Sequence, residues 1–551
     1  MVEGALQERA YSRIRQAVAA STTSPHTARP GPARGRPALS PGPGAGGYLA
    51  GRGPDDTLDH ILADITPALT GQNLSGRYYG FVTGSTLPIA EVADNIVSAL
   101  DQNVGVHLPE QTIATEVEDA ALEMLLSLLD LGDRNTWKGR TFTTGATGSN
   151  TLGLTCAREH VVAQAAALRA QADGDSFSAA AAGATASIGE LGILQACTQA
   201  GVTNIQVLTS MGHSSLFKAA GIVGLGRGSV KELPHSEQEP WRLDLDAVEQ
   251  ELRTQRDRAT VSIIAVSAGE VNTSNFATTG LADMQRLRDM ADRYGAWIHV
   301  DGAFAIFARA LPKTPEFALL HEFTTGIELA DSITVDGHKI LNVPYDCGMF
   351  FTRTATIMSD VCKNPNAAYL ATPPPTAAAT ATATAGSSSA APAFEIQSPL
   401  NIGLENSRRF RALPVYATLL SEGREGVADM VARMVRLARK VAGIVQGLDA
   451  YELLAASSSS SSSAAGRGAG GGGAGNFAGT AFVVLFRAKD ETLNSVLVQK
   501  IHESREWYVS GTKWDGRPAC RLAVSSWRVD VEEDAAFVKR SLEKLARELG
   551  A

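Results

Sequence analysis

The chain has 551 residues and a mass of 57.8 kDa, and is 44% hydrophobic and 19% charged. That excludes a disordered chain and leaves room for two or three domains with large cores. A net charge of −9 and a pI near 5.7 exclude a nucleic-acid partner or an anionic membrane surface. The five cysteines, Cys156, Cys197, Cys347, Cys362 and Cys520, are scattered and form no C-x-x-C pair. They exclude a disulfide framework and a zinc site, so no metal is expected, and they fit a reducing compartment. No apolar run approaches the roughly 18 residues of a membrane span.

The first 53 residues set Arg9, Arg13, Arg15, Arg29, Arg34, Arg36 and Arg52 against only Glu3 and Glu8. An organelle import signal and a disordered arm share this composition. The acidic residues and a helical pattern from Ala5 to Ala20 favour the arm, and cytosol is the expected compartment. Three low-complexity tracts follow along the chain: Ser21–Gly53, Ala371–Pro392 and Ser457–Gly475. None buries enough apolar surface to offset its ordering entropy, so all three read as mobile insertions.

Between the tracts, strands and helices alternate. Thr141–Thr144 reads as a strand running into Gly145, and Asn204–Thr209 and Val261–Val266 are short apolar runs suited to strands covered on both faces. The spacing of Leu281, Met284, Leu287 and Met290 predicts a helix over 281–294, with Gly295 as its terminator. A strand at Trp297 follows at once. Strand, helix, strand at this spacing predicts a mostly parallel sheet with helical crossovers. From about Pro399 the pattern turns helical over Arg408–Gly447. Strands at Thr480–Arg487 and Ala519–Ser526 and a closing helix at Val531–Leu549 complete a smaller α+β domain.

Two segments carry the chemistry. Asp331–Lys339 ends an apolar strand in Asp336-Gly337-His338-Lys339, and Trp297–Ala303 ends another in Asp301. A lysine and a carboxylate at neighbouring strand ends are what pyridoxal phosphate (PLP) requires. The amine bonds the cofactor aldehyde, and the carboxylate keeps the pyridine nitrogen protonated so that the ring accepts electrons. Gly145-Ala146-Thr147-Gly148-Ser149-Asn150 opens a helix after a strand, where backbone N–H groups can meet an anion. Alone, such a turn is more often a capped helix start, and a phosphate site is preferred here because the other PLP elements are present. His213, after the Val207 strand, is placed either to stack on a cofactor ring or as an ordinary loop histidine.

With these segments in hand, the chain resembles the group II PLP-dependent amino-acid decarboxylases. The resemblance rests on Asp336–Gly348, on Gly76–Val82, on His213-Ser214-Ser215, on His299–Ala303, on Ser407–Arg411 and on Ser526-Trp527-Arg528, in family order from about residue 58 to 545. It implies an α/β chain of fold type I (aspartate aminotransferase-like), with a mostly parallel sheet in the large domain. It also implies a homodimer with shared active sites. The implied division is an arm at 1–53, a helical segment at 54–135 contributing to the dimer interface and substrate pocket, and the PLP-binding domain at 136–362. A mobile catalytic loop with its insertion spans 363–398, and the small domain spans 399–551 with its Ser/Gly insertion at 457–475.

Carried over by position, Lys339 bonds the cofactor, Asp301 pairs with the pyridinium, and His213 and Ala303 cover the two ring faces. Ala146, Thr147 and Gly148 form the phosphate turn, with Asp336 and His338 nearby. Tyr78, Tyr79 and Phe81 line the substrate pocket alongside His213. Tyr369 in Asn366–Leu370 is the acid that protonates Cα after carbon dioxide leaves. Gly148 and Ser149 replace larger polar residues of some relatives, and Asp336 stands where several have asparagine.

The expected reaction is decarboxylation of a small-molecule L-amino acid, most readily an aromatic one such as tyrosine, dopa or tryptophan, given the Tyr78 and Tyr79 rings. Glutamate, aspartate and diaminobutyrate are alternative substrates. Aldehyde synthesis, transamination or side-chain cleavage on the same scaffold is a second reading, against which Tyr369 and His213 both stand unaltered. A catalytically silent paralogue is a third, supported only by the insertion after Tyr369.

Overall fold

The computed structural model describes residues 3–20, 51–69, 71–172, 186–255, 257–364, 396–455 and 477–550. Tyr369, the tract 371–392, the tract 457–475 and most of 21–53 lie outside the described residues. By contacts the chain divides into two units. One comprises Thr86–Val435 and Ala455–Phe482. The other comprises Met1–Ser85, Arg436–Leu454 and Val483–Ala551.

The larger unit is built on a seven-stranded sheet. Its order is Gly139–Thr143, Gly348–Thr352, Ser332–Asp336, Trp297–Asp301, Thr260–Ser267, Asn204–Thr209 and Val230–Glu232. Gly348–Thr352 runs antiparallel to both neighbours, and every other pairing is parallel. The sheet is therefore mostly parallel, as the alternation of elements predicts. Its central strands are buried along nearly their whole length because helices cover both faces, which is why they are apolar runs rather than alternating ones, while the edge strand Val230–Glu232 stays open. The helix Leu281–Tyr294 buries Met284, Leu287 and Met290, and Gly295 closes it at φ 70°. The helix Ala146–Ala172 carries Leu152, Cys156 and Val161 into a core with Val207, Ile263 and Trp297. Each fully buried aliphatic side chain there contributes about 1.5–3 kcal/mol.

The smaller unit holds a five-stranded sheet in the order Tyr78–Tyr79, Tyr508–Trp514, Arg517–Ala523, Val483–Ala488 and Tyr451–Leu454. Its first pair is parallel and the others antiparallel. Arg77 anchors the helix Val531–Glu548 through Asp534 at 2.8 Å and Glu533 at 2.9 Å, and lies 4.0 Å over the Phe537 ring.

Contacts cut the chain elsewhere than the boundaries read from sequence. Residues 54–85 join the smaller unit because Tyr78–Tyr79 pairs with Tyr508–Val509, while 86–135 pack in the larger one. The smaller unit resumes at Arg436 rather than 399, within the helical stretch Ala412–Gly447, which Gly423 breaks at φ 60°.

Candidate active site

The candidate residues of the larger unit gather at one edge of its sheet. Asp301 and Asp336 are the last residues of parallel strands, and Thr143 and the antiparallel Gly348 pair at the same end. The carboxyl edge of a parallel sheet is where open α/β folds place their ligands, since loops there are free to diverge.

Lys339 lies three residues beyond the Asp336 strand end. Its Nζ is 2.9 Å from Asp336 Oδ2 and 5.9 Å from the centre of the Phe304 ring. The lysine side chain is one-fifth exposed, whereas the Asp336 side chain is 1% exposed. Asp336 Oδ1 has no hydrogen-bond partner among the described residues. The loop after Asp301 is stitched to this strand end: Gly302 N–H donates to Thr334 O at 3.0 Å, and Asp336 N–H to Ala303 O at 3.2 Å. Ala303 is buried beneath this edge, and its own N–H donates to Asp301 Oδ1 at 3.3 Å.

Beside the lysine, His338 accepts the Cys347 N–H on Nδ1 at 3.1 Å. Its Nε2 therefore carries the proton and stands 3.7 Å from Asp336 Oδ2. Tyr345 packs on the ring at 4.3 Å. Burial pushes the His338 imidazole below its ordinary range, opposed by the Asp336 charge.

The turn Gly145–Gly148 leads into the helix Ala146–Ala172. The first intrahelical bond here is Ser149 N–H to Gly145 O, so the helix does not use the N–H groups of Ala146, Thr147 and Gly148. Gly145 has φ 145°, and a Cβ on it would meet His338 Cε1 at 2.9 Å. A Cβ on Gly348 would meet Gly145 Cα at 2.5 Å. Glycine at both places keeps a backbone-lined cradle open against His338. Ser149 turns inward, bonding Thr143 Oγ1 at 2.7 Å and Met349 O at 3.2 Å.

Asp301 is held by Asn150, whose Nδ2 donates to Asp301 Oδ2 at 2.8 Å. The same amide reaches Ser215 Oγ, His299 Nε2 and Thr334 Oγ1. His299, fully buried, sits where only a glycine at 153 leaves room, since a Cβ there would meet its ring at 2.4 Å. Burial takes its imidazole down to about 4, against the opposing charge of Asp301. His213 caps the helix Ser214–Ile222 with its own ring, Nδ1 accepting the Ser215 N–H at 3.2 Å and lying 2.7 Å from Ser215 Oγ.

In the smaller unit, Tyr78 stacks on Tyr508 at 4.6 Å and Tyr79 is 1% exposed, so both rings are committed to packing there. Phe81 differs. Its backbone is left-handed at φ 56° and the residue is 58% exposed, with its ring centre 6.5 Å from that of Tyr508.

The residues placed at the sheet edge fit PLP. A lysine amine, a held carboxylate, unused helix N-terminal amides in a glycine cradle and an exposed imidazole would suit its aldehyde, ring nitrogen, phosphate and ring face. Asn150, Ser215, Thr334 and His299 received no role from the sequence. One signal did exist: His299 and Asp301 are two apart on a strand and therefore share a face.

Comparisons with known proteins agree with this chemistry. The family model described as the pyridoxal-dependent decarboxylase conserved domain matches residues 194–461. Tryptophan decarboxylase 1 of Oryza sativa subsp. japonica is 23% identical over 481 residues, covering 86% of this chain and 80% of the relative. An L-2,4-diaminobutyrate decarboxylase of Acinetobacter baumannii is 24% identical over 374 residues, covering 67% and 63%. A crystal structure of Oryza sativa TDC with PLP and tryptamine superposes with a TM-score of 0.71 at 20% identity, over 99% of this chain and 97% of that one. At that identity the structural likeness speaks for the fold.

Proposed function

We propose that the chain is a pyridoxal-dependent decarboxylase of fold-type-I architecture that converts an aromatic L-amino acid to its amine and carbon dioxide. The observation that carries the reading is the meeting, at one sheet edge, of Lys339 on Asp336, Asp301 held by Asn150, and the glycine cradle at 145–148.

Bound PLP supplies an aldehyde for the substrate amine and a ring that takes up the electron pair left by departing carbon dioxide. In this proposal Lys339 anchors the cofactor and yields it to the substrate. Asp301 holds the proton on the ring nitrogen. The amides of Ala146, Thr147 and Gly148 take the phosphate, with His338 beside them. His213 and Ala303 cover the ring faces, and Tyr369 delivers the proton to Cα.

The aromatic preference is supported by the tryptophan decarboxylase relative and by an L-tyrosine/L-DOPA decarboxylase of Lophophora williamsii, 22% identical over 509 residues.

A panel of amino acids, assayed for carbon dioxide, amine, ammonia and peroxide together, tests the reading. Equal amine and carbon dioxide from tyrosine, dopa or tryptophan is the expected result. Asp301→Asn should lower that rate on the order of a hundredfold. Turnover of diaminobutyrate alone would overturn the aromatic assignment, and peroxide with ammonia would assign aldehyde synthesis instead.

We also propose a homodimer. The helix Pro88–Leu100 turns Ile89, Val92, Ile96 and Leu100 outward at 38%, 46%, 47% and 71% exposure, a continuous apolar stripe that water alone would not favour. Sedimentation should give twice the chain mass for the wild type and dissociation for Ile96→Glu. A monomeric wild type would defeat the proposal.

A further inference from the structure

Asn150 is fully buried and uses every hydrogen-bonding position of its amide. Its Nδ2 donates to Asp301 Oδ2 at 2.8 Å and to Ser215 Oγ at 3.1 Å. Its Oδ1 accepts from His299 Nε2 at 3.0 Å and from Thr334 Oγ1 at 2.9 Å. The direction of each bond follows from chemistry. An ionised carboxylate only accepts, so Nδ2 must face Asp301 and Oδ1 must face His299. His299 therefore carries its proton on Nε2, and its Nδ1 is a bare acceptor. Ser332 Oγ, 2.8 Å from that Nδ1, accepts the Trp297 indole N–H at 2.8 Å and gives its own proton to His299. Burial keeps His299 neutral, as this order requires.

On the other side, the second Nδ2 proton of Asn150 occupies a lone pair of Ser215 Oγ. The Ser215 hydroxyl proton is then directed to His213 Nδ1 at 2.7 Å. The Ser215 backbone N–H, which can only donate, reaches the same nitrogen at 3.2 Å. Two independent donors thus leave His213 Nδ1 bare and put the ring proton on Nε2. The chain of bonds runs in one direction from Trp297 through Ser332 and His299 to Asn150, and from Asn150 to both Asp301 and His213.

We propose that Asn150 is a positioning residue that makes Asp301 and His213 one hydrogen-bonded unit, aligning the carboxylate and, through Ser215, holding His213 as its Nε2–H tautomer. The inference deepens the decarboxylase reading and rests on it for the roles of Asp301 and His213. Asparagine suits the post because its amide donates on one side and accepts on the other. Aspartate at 150 would set a second carboxylate against Asp301, and the two would share a proton. The titratable groups facing this unit are Asp301, His299 behind it and His213 through Ser215.

The test uses PLP-loaded protein labelled with 15N-histidine, with His213→Gln to assign the His213 signals. Wild type should show protonated Nε2 and bare Nδ1 on His213. Asn150→Asp should lower kcat roughly tenfold to a hundredfold with KM changed less than about threefold. It should also move the pH midpoint of the cofactor's visible band by about one unit or more. Ser215→Ala should alter the His213 nitrogen signals while leaving that midpoint in place.

A wild-type His213 protonated on Nδ1 overturns the proposal. So does an Asn150→Asp protein that loses rate with the band midpoint and His213 signals unchanged, which marks a merely structural role. If Asn150→Asp does not fold, the wild-type tautomer and the Ser215→Ala response decide. Should the wild type bind PLP yet release no carbon dioxide from any substrate, the decarboxylase reading fails while the spectral arms still judge Asn150.

Discussion

Lys339→Ala is expected to lose at least about a thousandfold of decarboxylation, together with the visible absorbance band of bound PLP. The geometry predicts a second and separable effect. Lys339 Nζ is the cation at 2.9 Å from Asp336 Oδ2, and Asp336 is 1% exposed with its other oxygen lacking a partner among the described residues. Removing the amine leaves a buried carboxylate with only the His338 Nε2–H nearby, at 3.7 Å, a change that costs up to about 3–5 kcal/mol. Lys339→Ala should therefore melt at a lower temperature than the wild type.

Lys339→Ala/Asp336→Asn removes the stranded charge, and should recover most of the melting temperature and none of the turnover. The pair of readouts separates chemistry from folding. A Lys339→Ala protein that keeps its turnover would remove Lys339 from the mechanism. A double variant as unstable as the single one would show that the ion pair is not what Lys339 contributes to stability.

Much of this site was legible because its chemistry is local. Asp301 and the Asp336–Lys339 segment end apolar strands, and a polar residue closing a buried strand is visible in a few consecutive letters. The helix at 281–294 was legible for the same reason, with apolar residues at helical spacing and a glycine stop. What escaped depends on distant partners. The four partners of Asn150 lie 65 to 184 positions away in sequence, so nothing near residue 150 announces its task. The two-residue strand Tyr78–Tyr79 exists only because Tyr508–Val509 offers it an edge. Tyr508–Trp514 mixes buried and exposed residues and was not read as a strand, which hid the edge itself. That pairing draws residues 54–85 into the smaller unit.

Arg408 belongs to the same class of distant pairs, and Arg408→Leu is expected to be the most destabilising single change in the larger unit. Its guanidinium meets both oxygens of Glu118 at 2.7 Å, with side-chain exposures of 1% and 7%. Deleting the arginine leaves a buried carboxylate with only the more distant charge of Arg411 to offset it, at a cost of up to about 3–5 kcal/mol. The cost must depend on pH, and its sign is fixed. Burial raises the Glu118 carboxyl above its ordinary range, while the charge and hydrogen bond of Arg408 pull it down. Without Arg408 the carboxyl rises further, so the folded variant holds a proton that the unfolded chain releases. A group raised in this way favours folding below its unfolded value and withdraws that support as pH climbs through the folded value.

Arg408→Leu should therefore be worst near neutrality and closest to wild type in acid below the ordinary glutamate range, where Glu118 is protonated in both the folded and the unfolded chain. Melting scans across that range check the slope. Arg408→Leu/Glu118→Leu, with no charge left to strand, should regain most of the loss at neutral pH. A penalty that stayed constant from acid to neutral pH would mean that Arg408 stabilises this unit by packing, and that the charge of Glu118 carries none of the cost.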